Sequence, residues 1–243
     1  MSWNLQILKD EVEETHGEAQ RELLIPCLES IVDRQHYANY HFQDFESLLK
    51  EFLSSRSEVD QLFRLVIGSD LNERNEWHIC RKKAEANIVG CLQSMHATSD
   101  ILGHVIYYAL NMNQNSLLRL SDMKISIYSV SKKISSVPKY SDLSDCVNKL
   151  TTHTDFRYLS DIVNHSKHRS VIGTSFTVNV HEDSGRPHGI EFHSFNYNDR
   201  NHNRRWVDTY LKSEHTRQLS LIIKVGNEIN RLVHMGVINN NQY

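Results

Sequence analysis

A chain of 243 residues can bury a sizeable core as one large domain or two small ones. Its 9 glycines and 3 prolines are too few for the turns of a β-sandwich or the glycine-rich loops of a doubly wound α/β fold, so helices are favoured. A net charge of −3 excludes a global basic field, and any contact with nucleic acid must be local.

The segment Asn4–His16 places Leu5, Leu8 and Val12 three and four residues apart among acidic residues, which predicts an amphipathic helix. A second helical stripe runs from about Glu18 through Leu24, Leu28, Ile31 and Phe45 to Leu53, with Pro26 as a kink or first-turn residue. After Ser54, Ser55 and Ser57, a short helix carries Val59, Leu62, Phe63, Leu65 and Val66 and stops at Gly68. The longest signal extends from about Glu73 to Met112 and is apolar around much of its circumference near Ile101–Leu110, which predicts a central buried helix.

Ser116–Val137 fits both strand and helix, and the spacing of Met123, Ile127, Val130 and Ile134 favours helix. Beyond Pro138, Ser141 reads as an N-cap and Asp142 and Asp145 as an acidic first turn; a further helix runs from about Phe156 to His168. Val171–Val180 and Gly189–Tyr197 are rich in β-formers and flank the turn sequence Glu182-Asp183-Ser184-Gly185-Arg186-Pro187, which predicts one hairpin. A last helix covers about Arg204–Met235, ends at Gly236 and leaves Asn239–Tyr243 to fray.

Together these elements predict a mainly all-α chain, an up-and-down helical bundle with one β-hairpin inserted near residues 171–197. With no repeat or long linker, 1–243 reads as one helical domain, or as a bundle over 75–235 preceded by an N-terminal helical arm over 1–70. Cys27, Cys80, Cys91 and Cys146 are scattered, without a C-x-x-C pair or a leader peptide ahead of them, which suggests reduced thiols in a cytoplasmic protein. No run approaches the roughly 18 apolar residues of a membrane span, so no membrane partner is expected.

The densest chemistry lies in Asn164-His165-Ser166-Lys167-His168-Arg169. One helical turn there gathers Asn164, Lys167 and His168 on a face. An imidazole that titrates near neutrality can move a proton while lysine and arginine stabilise charge on phosphate oxygens, a combination suited to phosphodiester chemistry without metal or cofactor. The same three basic residues would also be placed by the negative end of a helix, where they can bond its last carbonyls. A second group, His96-x-x-x-Asp100-x-x-x-His104, sets two imidazoles and a carboxylate along one helical face, suited to ligating a metal or tuning a base, or to forming a polar seam. Arg200-Asn201-His202-Asn203-Arg204-Arg205-Trp206 could hold phosphates and stack a base, or simply open a solvated helix. Fifteen histidines occur in all, at irregular spacings that suit exposed residues rather than a metal array.

The stretches Leu92–Leu102 and Tyr158–Arg169 resemble bacterial helical proteins of the HEPN superfamily, in particular a branch with a Lys-His-Arg signature. That resemblance spans about residues 75–235 and implies an all-helical bundle that forms homodimers. It also implies binding or metal-independent cleavage of RNA, or nucleotide binding, in toxin–antitoxin or phage-defence settings. The nuclease members carry an arginine followed after four to six residues by a histidine; Arg34 and His41 have that spacing, in an early helix, and Lys167-His168-Arg169 does not.

On this reading His168 transfers a proton, Lys167 and Arg169 contact phosphate, Asn164 orients the substrate or the imidazole, and His96, Asp100 and His104 line the same cleft. The alternatives are a non-enzymatic module that holds a protein partner, and a metal-dependent hydrolase built on the second group.

Overall fold

The computed structural model describes residues 2–56, 58–179 and 186–240. Among them it contains eight α-helices and two small antiparallel sheets, a mainly α chain with an inserted hairpin. The helices are α1 Leu5–His16, α2 Glu18–Leu53, α3 Val59–Ile67, α4 Leu71–Ala109, α5 Ile127–Ile134, α6 Ser141–Thr151, α7 Thr154–His168 and α8 Val207–Asn240. The strands are β1 Thr174–Val178, β2 His188–Phe192, β3 Phe195–Tyr197, β4 Arg200–His202 and β5 Arg205–Trp206. No helix among the described residues is long and apolar enough to cross a membrane.

The chain forms two compact units, and α2, α4, α7 and α8 each contribute residues to both. The first comprises Met1–Gln35, Met95–Arg157 and His215–Tyr243. Its core takes Leu8 and Val12 from α1, Leu24 and Leu28 from α2, Val105 and Ile106 from α4, Val130 from α5, Val147 from α6 and Ile229 from α8, all with 0% exposure and packed in one apolar cluster. Each such side chain contributes about 1.5–3 kcal/mol by leaving water. Asn4 caps α1 by accepting the Ile7 N–H, and Gly17, at φ 87°, turns the chain directly into α2, a conformation that a Cβ would strain. Trp3 lies against Gly226 and donates its indole N–H to Asn230 Oδ1 at 3.0 Å, which fastens the segment ahead of α1 to α8.

The stretch 116–137 is helical only over Ile127–Ile134, preceded by a 3-10 turn at Asp122–Lys124. Local bonds outcompete a longer helix there. The Asn115 side chain accepts the N–H groups of Leu117 and Leu118, the Tyr107 hydroxyl brackets the backbone of Leu120, and Ser126 with Ser129 forms a capping box that starts α5 afresh. Ser141 is the first residue of α6 and not its cap, because a 3-10 turn over Pro138–Tyr140 runs straight into the helix. Gly236 lies inside α8, which continues to Asn240; of the expected frayed end, residues 241–243 lie outside the described residues.

The second unit comprises His36–Ser94 and Tyr158–Glu214. Its β1–β2 hairpin pairs Thr174 with Phe192 and Val178 with His188, and Asn179 extends the contact one step past Val178 by donating to the carbonyls of Pro187 and Arg186. The turn residues Glu182–Gly185 lie outside the described residues. The expectation of a single hairpin followed by helix from Arg204 is corrected here. A second hairpin joins β3 to β4, Arg205–Trp206 adds β5 to the edge of β2, and α8 begins at Val207. Asn198 and Asp199 both take positive φ, 47° and 60°, the geometry of a tight two-residue hairpin turn that these side chains tolerate.

Candidate functional site at the end of α7

α7 buries Ile162 and Val163 and ends at His168, so its last turn projects from the packed part of the helix. Asn164 is half-buried and donates to Ser160 Oγ at 3.3 Å. Lys167 and His168 are exposed, and neither side chain has a hydrogen-bond or ion-pair partner among the described residues. Arg169 lays its guanidinium over the Tyr197 ring at 4.9 Å. Among the described residues, the side chains of Lys167, His168 and Arg169 make no bond to the carbonyls at the helix end. His165 makes that contact instead: its Nδ1 donates to the Ser170 carbonyl at 2.7 Å, and its own carbonyl accepts the N–H groups of Arg169 and Ser170.

A carbonyl can only accept, so His165 carries its proton on Nδ1 when neutral, which leaves Nε2 as the accepting nitrogen. The ring is flanked edge-on by Phe195 and Tyr197, with centroids 5.8 and 6.1 Å away. His165 is thus the imidazole of this stretch whose orientation is fixed.

One turn earlier on α7, Asp161 has a side chain only 2% exposed and gathers two residues of β4. Arg200 Nε donates to Oδ2 at 2.7 Å while Nη2 bonds Oδ1, and His202 Nε2 meets Oδ2 at 2.7 Å. The His202 ring stacks on Phe195 at 4.6 Å and meets Tyr158 edge-on at 5.1 Å. The second hairpin is therefore fastened to α7 by a buried carboxylate and an aromatic cluster, and this fastening brings Tyr197 beneath Arg169. Burial pushes the Tyr158 phenol well above its usual range against the opposing charge of Arg205, and its hydroxyl has no hydrogen-bond partner among the described residues. Tyr158 is a neutral packing residue.

The Arg200–Trp206 stretch does not act as one group, because it is divided between β4, paired with β3, and β5, paired with β2 in the other sheet. Arg200 joins Asp161, Arg204 donates to Ser175 Oγ at 2.9 Å, and Arg205 covers the Tyr158 ring at 4.4 Å. Trp206 lies under the Arg186 guanidinium at 4.3 Å, and Arg186 in turn makes paired 2.8 Å bonds to Asp208. Sequence reading passed over Asp161, Arg200 and His202 as a set. The signal available was Arg-x-His, two residues that share a face once the segment is recognised as a strand.

The group His96, Asp100 and His104 belongs to the other compact unit. His96 is 8% exposed and its Nδ1 stands 3.7 Å from Asp100 Oδ2, whereas His104 Nδ1 faces the Asp100 carbonyl at 3.2 Å. One histidine faces the carboxylate and the other the helix backbone, so the three do not converge as a metal-ligand set. Arg34 and His41 both lie on α2. His41 Nδ1 and Asn87 Oδ1 are 2.8 Å apart, and Asn87 donates to Asp44. No family model, curated protein or solved structure matches the chain.

Proposed function

We propose that this chain is a HEPN-like protein that binds RNA through the end of α7 and works as a homodimer. Lys167 and Arg169 contact phosphate, and His168 is the mobile proton-transfer group. The observation that supports the reading is the exposure of Lys167 and His168 with no carboxylate partner among the described residues, next to an imidazole, His165, held in one tautomer by Ser170. A cation without a local counter-ion is available to a phosphate, and release of the phosphate's own counter-ions drives the contact. Asn164 remains tied to Ser160, a position from which it supports the helix turn that carries the basic residues.

The resemblance of Tyr158–Arg169 to HEPN proteins adds RNA as the phosphodiester. The test is to incubate purified protein with a labelled single-stranded oligoribonucleotide and follow both retention and cleavage for the wild type, His168→Ala and Lys167→Ala. Both variants should lose at least tenfold in RNA affinity or in cleavage. Undiminished binding and cleavage in both would remove the α7 end from the function.

A further inference from the structure

A cavity of about 720 Å³ lies within the second unit, where the C-terminal half of α2 meets the start of β2. Gln43, Ser47, Lys50 and Ser54 recur at spacings of four and three, with Glu46 one turn before Lys50, so a polar face of α2 lines it. The other polar side chains around it are Arg186, His188 and Asp208.

Two of the four charges compensate each other. Arg186 makes its paired 2.8 Å bonds to Asp208, donates Nε to the His188 carbonyl at 3.1 Å, and lies against Gly189, where a Cβ would collide with it. Glu46 and Lys50 are different. A glutamate four residues ahead of a lysine is the order in which such a pair bonds best along a helix, yet these two form no ion pair. Both are exposed, and neither has a hydrogen-bond or ion-pair partner among the described residues. His188 adds a neutral donor: burial, with Arg186 beside it, holds its imidazole below the ordinary value. Its Nδ1 is enclosed without a hydrogen-bond partner among the described residues. A proton there would be a buried donor without an acceptor, so the neutral ring carries it on Nε2. Most of the remaining lining is apolar, with half-buried Leu49 and Leu53 above buried Phe45, Phe176 and Ile190.

We infer that this cavity binds an α-amino acid with an apolar side chain, its ammonium group at Glu46, its carboxylate at Lys50 and its side chain on Leu49 and Leu53. One uncompensated anion and one uncompensated cation a helical turn apart match a ligand that carries both charges. A simple anion would meet the repulsion of Glu46, and a simple cation that of Lys50. The Ser47 hydroxyl and the His188 Nε2–H are the neutral donors available to the carboxylate. The volume falls in the range of about 300–1,000 Å³ that small-molecule sites occupy, and an apolar side chain takes the two leucines out of water.

Calorimetric titration of the full chain with L-phenylalanine, L-leucine, phenylpropionate and phenethylamine tests this. The amino acids should bind saturably, and phenylalanine at least tenfold tighter than either analogue, which lacks the ammonium or the carboxylate. Lys50→Met should weaken phenylalanine at least tenfold and abolish its advantage over phenethylamine. Glu46→Gln should do the same relative to phenylpropionate. Both side chains are exposed, so the variants keep the fold, which far-UV circular dichroism checks. Absence of binding by both amino acids, an analogue that binds as tightly as phenylalanine, or wild-type affinity in a folded double variant would each overturn the inference. None of these substitutions touches α7, so the two readings fail separately.

Discussion

Arg200 and Asp161 form a bidentate pair whose two ends are unequal: the carboxylate is 2% exposed and the guanidinium 48%. Breaking the pair from the arginine side leaves a buried carboxylate with His202 as its remaining ring partner, while water can reach the space vacated. Arg200→Ala should lower stability by about 1–3 kcal/mol, towards the smaller figure because solvent already screens the guanidinium. Arg200→Lys should recover less than half of the loss, since an ammonium cannot reproduce the fork. Urea unfolding measures both, and a lysine variant as stable as wild type would show that charge alone, without geometry, fastens the hairpin.

Gly103 sits where α4 meets the start of α5, and a Cβ there would come within 2.7 Å of the Ile127 nitrogen and 2.8 Å of the Ser126 carbonyl carbon. These are backbone atoms held by a capping box, so they cannot step aside as a side-chain tip would. Alanine gains up to about 1 kcal/mol of helix propensity over glycine, yet overpacking costs about 1–3 kcal/mol. Gly103→Ala should therefore shift the urea midpoint downwards; an upward shift would mean that α5 rides freely on α4.

The long helices were legible because their apolar residues recur at helical spacing and their stops are marked, as at Gly68 after α3. The second hairpin was not, because Arg200-Asn201-His202 has neither β-branched residues nor an apolar alternation. What makes it a strand is the pairing with Phe195–Tyr197 and the grip of Asp161, both long-range. Asp161 was hidden for a related reason: an aspartate in a helical stripe reads as surface, and only its partners on β4 explain a buried one. Gly236 misled in the opposite direction, since a glycine without a left-handed turn is carried inside a helix that packing already fixes. Within the candidate site, Asn164–Arg169 was recognisable from one turn of sequence, but the identity of the oriented imidazole was not, because the bond of His165 to Ser170 depends on how the helix ends.

His16, His188 and His215 share a direction: burial holds each below the ordinary imidazole value of 6.5, with Lys139 adding to the effect at His16 and Arg186 at His188. The folded chain keeps these rings neutral where the unfolded chain protonates them, so the unfolded state binds more protons and stability rises with pH. The contribution is complete above about 6.5 and declines as the pH drops below it towards the depressed folded values. The urea midpoint should thus decrease between pH 7 and pH 5. His215→Gln, at a ring whose cause is burial alone, should flatten that decrease; an unchanged slope would place the proton uptake elsewhere.

If RNA phosphates meet the end of α7, the contact carries a salt signature that packing interactions lack. Each phosphate neutralised on a single strand contributes about −0.7 to the slope of log K against log salt. Lys167 is the cleanest probe, because it has no partner among the described residues and its removal disturbs no bond of the fold, whereas Arg169 is committed to the Tyr197 ring. Lys167→Ala should reduce the magnitude of the slope by about 0.7, and do so equally for oligonucleotides of different sequence, since a phosphate contact reads no base. A weakened affinity with an unaltered slope would instead mean that Lys167 acts on RNA binding through the shape of the helix end, and would move the phosphate contacts to other cations of the chain.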